Sequence, residues 1–425
     1  MKTRKITLAF LSLLTAVSLM GCSAQNNNLP AGNQPVFPSS QPSFPSGQNG
    51  NDPFSTPQTS TETVSLNTEE QFSERDLSQQ ADLGDAAYLS VADGQDITIT
   101  AEGVYVLSGR AENVTVTVKA EEGAKVQLVL DGLTITNSGK PCIYVKSADK
   151  VFITTAGSDS SLTVTGQFSY SEDEKADAVI YSKDDLVLNG TGKLVIVSSD
   201  NAVKTKDDLK ITGGSYEITC ANNALRANDS IRIADGSISI TTEDDGLHAE
   251  DDDDDTTGYI YIASGSLSIS AGDDAVHATT LLQIDGGSLT IPAAEGLEAT
   301  EVVINDGTVT ISASDDGINA SRKSESYYCF ARFTGGNVTI TMGQGDTDGV
   351  DVNGDLFIEG GTISVTGQSC FDYDGSCSFT GGTVYTNGQQ VSEITNQFMG
   401  GQGGFPGGQQ PGGQGDQKPG GKNGH

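Results

Sequence analysis

The chain has 425 residues, with 57 acidic side chains against 23 basic ones and a formal net charge of −34. A surface of that sign repels nucleic acid and anionic membranes, so neither is an expected partner, and it demands counter-ions. Its 52 glycines and long polar stretches exclude a single ordinary globular core and point to a repeat.

At the N-terminus, Lys2, Arg4 and Lys5 precede an apolar stretch over residues 6–19. That stretch is too short and wrongly flanked for a lasting membrane span, and it reads as a signal segment. It ends in Leu19-Met20-Gly21-Cys22, which resembles a lipoprotein cleavage box with Cys22 as the acylated residue. The expectation is an extracytoplasmic protein tied to the membrane through that lipid alone. Residues 23–70 are rich in Asn, Gln, Pro and Ser and cannot form a core, so they read as a disordered tether. The tail over residues 398–425 is Gly/Gln/Pro-rich and equally unable to pack.

Between these ends, residues 71–397 carry a repeat. Gly192, Gly214, Gly236, Gly265, Gly287, Gly307, Gly336, Gly361 and Gly382 each precede a short alternating segment such as Ser237-Ile238-Ser239-Ile240. A second alternating segment lies in each repeat, for example Ile231-Arg232-Ile233. A third apolar position follows an acidic turn: Val203, Leu225, Leu247, Val276, Leu297, Ile318, Val350 and Phe371. Three short strands per repeat, period-2 alternation and turns of Gly, Asp or Asn predict an all-β, right-handed parallel β-helix. It should be a three-sided solenoid of about eleven rungs, expected to be monomeric. After Cys22, five cysteines without metal-ligand spacing argue against a disulfide framework; a Cys370–Cys377 pair is left open.

Register places Asp200-Asn201, Asn222-Asn223, Asp244-Asp245, Asp273-Asp274, Glu295, Asp315-Asp316 and Asp348 at one stacked turn. An amide ladder accounts for Asn201, Asn222 and Asn223. It fails for the carboxylates, which repel by about 3 kcal/mol at 5 Å and an effective dielectric near 20. Calcium at Asp244, Asp245, Asp273, Asp274, Glu295, Asp315, Asp316 and Asp348 would resolve the repulsion. The Asp251–Asp255 run lacks the spacing of an EF-hand and reads as an inserted loop.

Just past the turn, the outward positions read Tyr181, Lys204, Arg226, His248, His277, Glu298, Asn319, Asp351 and Asp372. The basic half of that column suits uronate carboxylates. Two insertions, residues 250–258 and 321–328, should wall a groove floored by His277 and Glu298. Tyr327 and Tyr328, beside Phe330, are candidate sugar-stacking residues. The expected carbohydrate contacts are therefore Lys204, Arg226, His248, His277, Glu298, Tyr327 and Tyr328.

The stretch Glu74-Arg75-Asp76-Leu77, then Gly103-Val104-Tyr105-Val106-Leu107-Ser108-Gly109, Lys125–Asp131 and Ile143–Lys150, resembles the carbohydrate-binding domain family of clostridia and related bacteria. The resemblance, over about Gln71 to Gln397, implies a pectate-lyase-like β-helix with bound calcium and a polysaccharide partner such as pectin or cellulose. The chain has no Trp, a departure that works against flat stacking on crystalline cellulose. Two other readings stay open. One is a calcium-dependent lyase with Lys204 or Arg226 as base, or a glycosidase; the other is a structural surface spacer.

Overall fold

A computed structural model describes residues 66–170, 174–345 and 347–397. Cys22, the tether before Leu66 and the tail after Gln397 lie outside the described residues.

Within the described residues the chain is a parallel β-helix. Three strand stacks run its length, and in each coil the chain visits the first, second and third face in turn. On the second face, Lys193–Ser198 pairs in parallel with Ser215–Cys220, which pairs with Ser237–Thr242, then Ser266–Ser270. The first and third faces repeat this in their own ladders, among them Asp208–Ile211 on Ser230–Ile233 and Leu225–Ala227 on Leu247–Ala249. The stacks hold about twelve rungs at the usual inter-strand spacing, roughly one more than the sequence pattern predicts. The extra turns lie at the N-terminal end, where Ala87–Ser90 and Ile97–Ile99 lack the glycine punctuation that marks later rungs.

Alternation produces the packing. Ser237–Thr242, Thr308–Ala313 and Asn337–Met342 each expose and bury successive residues in strict alternation. The buried members join one apolar column running from Val91 to Ile394. Leu225, Leu247, Val276, Leu297 and Ile318 stack in consecutive rungs of the third face and are fully buried, as the predicted register requires. From Lys193–Ser198 onward, glycine opens the second-face strands because one corner sits directly on the next. Gly287 has φ +85°, and a Cβ there would lie 2.7 Å from the Gly265 carbonyl oxygen. At the C-terminal end Thr383–Thr386 pairs antiparallel with Gln389–Val391, ending the parallel stacking.

Residues 66–79 form a strap across the outside of the first face, crossing its rungs against the stacking direction. The Leu66 backbone exchanges two hydrogen bonds with the Gln283 amide, both 2.9 Å. Beyond the short helix Thr68–Gln71, Gln71 Oε1 accepts from the Tyr259 hydroxyl at 2.9 Å. Fully buried Asp76 lies 3.1 Å from Lys210 Nζ and 3.6 Å from Lys150 Nζ. Gln79 accepts from Gly190 N and donates to the Thr212 carbonyl. A Cβ at Gly213 would stand 2.0 Å from Gln79 Oε1, so a side chain there would displace the Gln79 amide from its bonds. Charge balance follows the same face: burial raises the Asp76 carboxyl, but the Ser73 amide, Lys210 and Lys150 outweigh it and hold the group below the usual range. Cys142, Cys220, Cys329, Cys370 and Cys377 are all free, so the open Cys370–Cys377 pairing is not made.

Candidate functional site

The third face positions the outward column as its register predicts. Lys204 pairs with Arg226, Arg226 with His248, His248 with His277, His277 with Glu298 and Glu298 with Asn319. Short three-residue strands, such as Leu247–Ala249, leave one outward side chain between two inward ones. Each outward residue is thus held by a buried neighbour on either side.

The cations of this column are not free. Lys204 Nζ meets both carboxylate oxygens of Asp177 at 2.9 Å. Arg226 lies 3.8 Å from Asp252 in the first insertion. His248 is bracketed by Asp245 on Nδ1 at 2.6 Å and Glu250 on Nε2 at 2.9 Å. His277 Nδ1 faces Asp274 at 2.8 Å and Glu298 at 2.9 Å. Glu298 also takes Lys323 Nζ at 2.7 Å, the Asn319 amide and the Ser321 hydroxyl.

This density of charge shifts the titrations. Burial disfavours the charged imidazole of His277, yet its bonds to Asp274 and Glu298 prevail and raise it well above the ordinary value. Burial pushes Glu298 up, but His277 and Lys323 pull it far below the usual carboxylate range. The bond from His248 is the main cause that lowers Glu250 to about 2. Glu250, Lys323 and Asp177 were not among the expected site residues. The Asp–His contacts had a readable signal: Asp245-Gly246-Leu247-His248 and Asp274-Ala275-Val276-His277 share one spacing.

The stacked turn beside the column is acidic where predicted. The expected amide ladder is made only in part: Asn223 Nδ2 donates to Asn222 Oδ1 within one rung, but between rungs Asn222 Nδ2 donates to Asp200 at 3.1 Å and Asn223 Nδ2 to Asp244 at 3.3 Å, and Asn201 Oδ1 and Asn223 Oδ1 are buried without a hydrogen-bond partner. Above it, ligand oxygens of Asp244, Asp245 and Asp273 lie within 4.8 Å of one another. Asp245 Oδ1 accepts the Asp274 amide, and Asp316 Oδ1 accepts the Asp348 amide, one rung on. Glu295 Oε1 and Asp348 Oδ1 are buried without a hydrogen-bond partner. Burial, then the charges of Glu298 and Asp274, raise Glu295 to about 8. Burial is also the main cause that raises Asp316 to about 6. Asp315 is exposed at the rim of the same turn. Such oxygen-only, multiply anionic donors fit calcium better than a softer metal.

The two insertions meet rather than stand apart. Asp255 accepts from the Ser324 hydroxyl and the Glu325 amide, and the Tyr327 hydroxyl donates to the Thr256 carbonyl at 3.2 Å. They form one joined rim beside the His277 and Glu298 rungs. A cleft of about 430 Å³ lies there, lined by Glu250, the Asp251–Asp255 run, Thr279 and Lys323. Tyr327 borders this rim, whereas Tyr328 bonds Asp355 at 2.5 Å and stacks near Phe330, toward the first face. The structure therefore gathers Arg226, His248, His277 and Glu298 and places Tyr328 apart from them. The acid run engages Arg226, Asn228 and the second insertion.

The chain is similar to known proteins over parts of its length. A protein of Acetivibrio thermocellus described as a carbohydrate-binding domain-containing protein is 39% identical over 134 residues, 31% of this chain. The matched stretch covers 46% of that protein, so this chain spans about half the length of the relative. A solved structure titled a polysaccharide lyase-like protein from C. thermocellum, gadolinium derivative, is 31% identical. It covers 50% of this chain and 93% of its own, with a TM-score of 0.48. The profile of the family described as carbohydrate-binding domain-containing protein matches residues 93–349 and 293–395, most of the coil, and the chain belongs to that family.

Proposed function

We propose that this protein binds an extracellular polysaccharide along the third face, with calcium held in the acidic turn, and does so without catalysis. The observation that carries this reading is the column Arg226–His248–His277–Glu298, bordered on one side by a cleft and on the other by a carboxylate turn. Polar and periodic, with Arg226 and His277 part-exposed and His248 and Glu298 buried between the cleft and the turn, such a column suits a polymer whose units repeat. Membership of the carbohydrate-binding family supports it.

Every cation in the column is already paired with a carboxylate. Direct capture of uronates by bare cations is therefore less favoured than bridging through calcium, which would carry net positive charge to the turn. Lys204, the candidate lyase base, is held by both oxygens of Asp177, an arrangement that suits binding rather than proton abstraction. The Leu19–Cys22 box and the tether after it support display on the outer membrane surface through acylated Cys22.

A glycan array run in calcium and again in chelator tests the reading. Binding to acidic polysaccharides in calcium alone is expected. Binding that is equal in chelator removes calcium from the proposal, and no binding in either condition removes the carbohydrate. Incubation with polygalacturonate, followed for unsaturated product by ultraviolet absorbance, should stay flat; a rise would make the protein a lyase.

A further inference from the structure

His248 and His277 are successive rungs of one stack, and their rings lie 4.7 Å apart, inclined by 8°. Each presents Nδ1 to the carboxylate three residues earlier, Asp245 at 2.6 Å and Asp274 at 2.8 Å. A carboxylate behind one ring nitrogen fixes the tautomer and aims the other nitrogen away, as in metal-ligating histidines generally. Here both Nε2 atoms are aimed to the same side. His248 Nε2 meets Glu250, carried in by the first insertion, at 2.9 Å. His277 Nε2 is buried and has no hydrogen-bond partner at all. Leaving such an atom unsatisfied costs about 1–3 kcal/mol, and a metal ion would take its lone pair on displacing the ring proton.

We infer that His248 Nε2, His277 Nε2 and the Glu250 carboxylate form a site for a divalent transition-metal ion, zinc by its donor set. Candidate ligand atoms of the three residues lie within 4.8 Å of one another. Two imidazoles and one carboxylate match zinc, whereas the turn beside them offers only oxygen. Zn–N bonds of about 2.0–2.1 Å place ligand atoms about 3.3 Å apart, so the rings and Glu250 must close inward on binding. Glu250 opens an insertion and can follow. Three protein ligands leave a fourth position open, and Glu250 is the ligand that also lines the cleft. The inference rests on neither the calcium nor the carbohydrate reading.

The test titrates the full chain with zinc, and separately with cobalt, in excess calcium so that oxygen sites are filled. One strong zinc site and a cobalt visible spectrum of tetrahedral type are expected. His248→Ala, His277→Ala and Glu250→Gln should each weaken zinc at least ten-fold, while His425→Ala, removing the third histidine of the chain, should not. Glu250→Gln leaves both imidazoles and the core intact, so it decides the matter even if a histidine variant folds poorly. Zinc binding that survives Glu250→Gln unchanged, an absence of zinc binding at micromolar concentration, or full displacement by calcium overturns the inference.

Discussion

The strap on the first face and the acidic turn between the second and third faces solve buried charge in opposite ways. Under the strap, Asp76 has two lysines, and Arg232 has Asp208. At the turn, Asp244, Asp245 and Asp273 face one another, and partnerless oxygens remain on Glu295 and Asp348. Both regions are built by the same rung repeat. The difference is that the strap sets Asp76 against lysines of distant rungs, Lys210 lying 134 positions on, whereas the turn stacks acid upon acid from Asp244 to Asp348. One region is electrostatically complete within the chain, and the other depends on the solution around it.

The largest effect should come from breaking the complete region. Asp76→Ala leaves buried Lys210 without its carboxylate, while Lys150 keeps Asp185, and losing one member of a buried pair costs about 3–5 kcal/mol. Denaturant unfolding would check this, and a loss below 1 kcal/mol would mean that the strap contributes little. For the incomplete region, calcium at 100-fold over its dissociation constant should stabilise by about 2.7 kcal/mol, because it binds the folded turn alone. Superimposable melts in calcium and in chelator would remove the metal from the turn. A smaller change should come from Asp244→Asn with Asp273→Asn. In chelator this pair should stabilise by about 1 kcal/mol as repulsion is relieved at an effective dielectric near 20. In calcium the same pair should destabilise, and the change of sign is the signature.

These regions were not equally legible in the sequence. Period-2 alternation and the repeating glycine fixed which residues face inward, so the Leu247–Val276–Leu297 stack and the His248–His277–Glu298 column follow from spacing alone. The acid ladder was visible for the same reason. The strap was not, because its contacts reach distant rungs, Gln79 to Gly190 over 111 positions and Leu66 to Gln283 over 217, and obey no period. Joining of the two insertions through Asp255 was equally hidden, since an irregular loop gives no rule for where a carboxylate will point. The neutralised state of the column belongs with these: Asp177, Glu250 and Lys323 reach it from loops or neighbouring rungs, and register names only the residues within a strand.

Moderate acidification separates the two regions by sign. Asp76 has a folded pKa below its unfolded value, so its contribution is present above the ordinary carboxylate range and is lost as pH falls through the lowered value. Between pH 8 and 5 the strap should therefore not respond. Glu295, raised to about 8, and Asp316, raised to about 6, behave oppositely. Over that window the folded turn holds protons that the unfolded chain has released, so in chelator its stability rises as pH falls from 8 to 5. Calcium favours the ionised carboxylates and should flatten this response. Amide hydrogen exchange can follow the regions separately, with Gly190 N, bound to Gln79 Oε1, reporting the strap and Asp348 N, bound to Asp316 Oδ1, reporting the turn. Equal pH dependence at both amides in chelator would show that the turn carboxylates are relieved by something other than protons, and the contrast between the regions would fall.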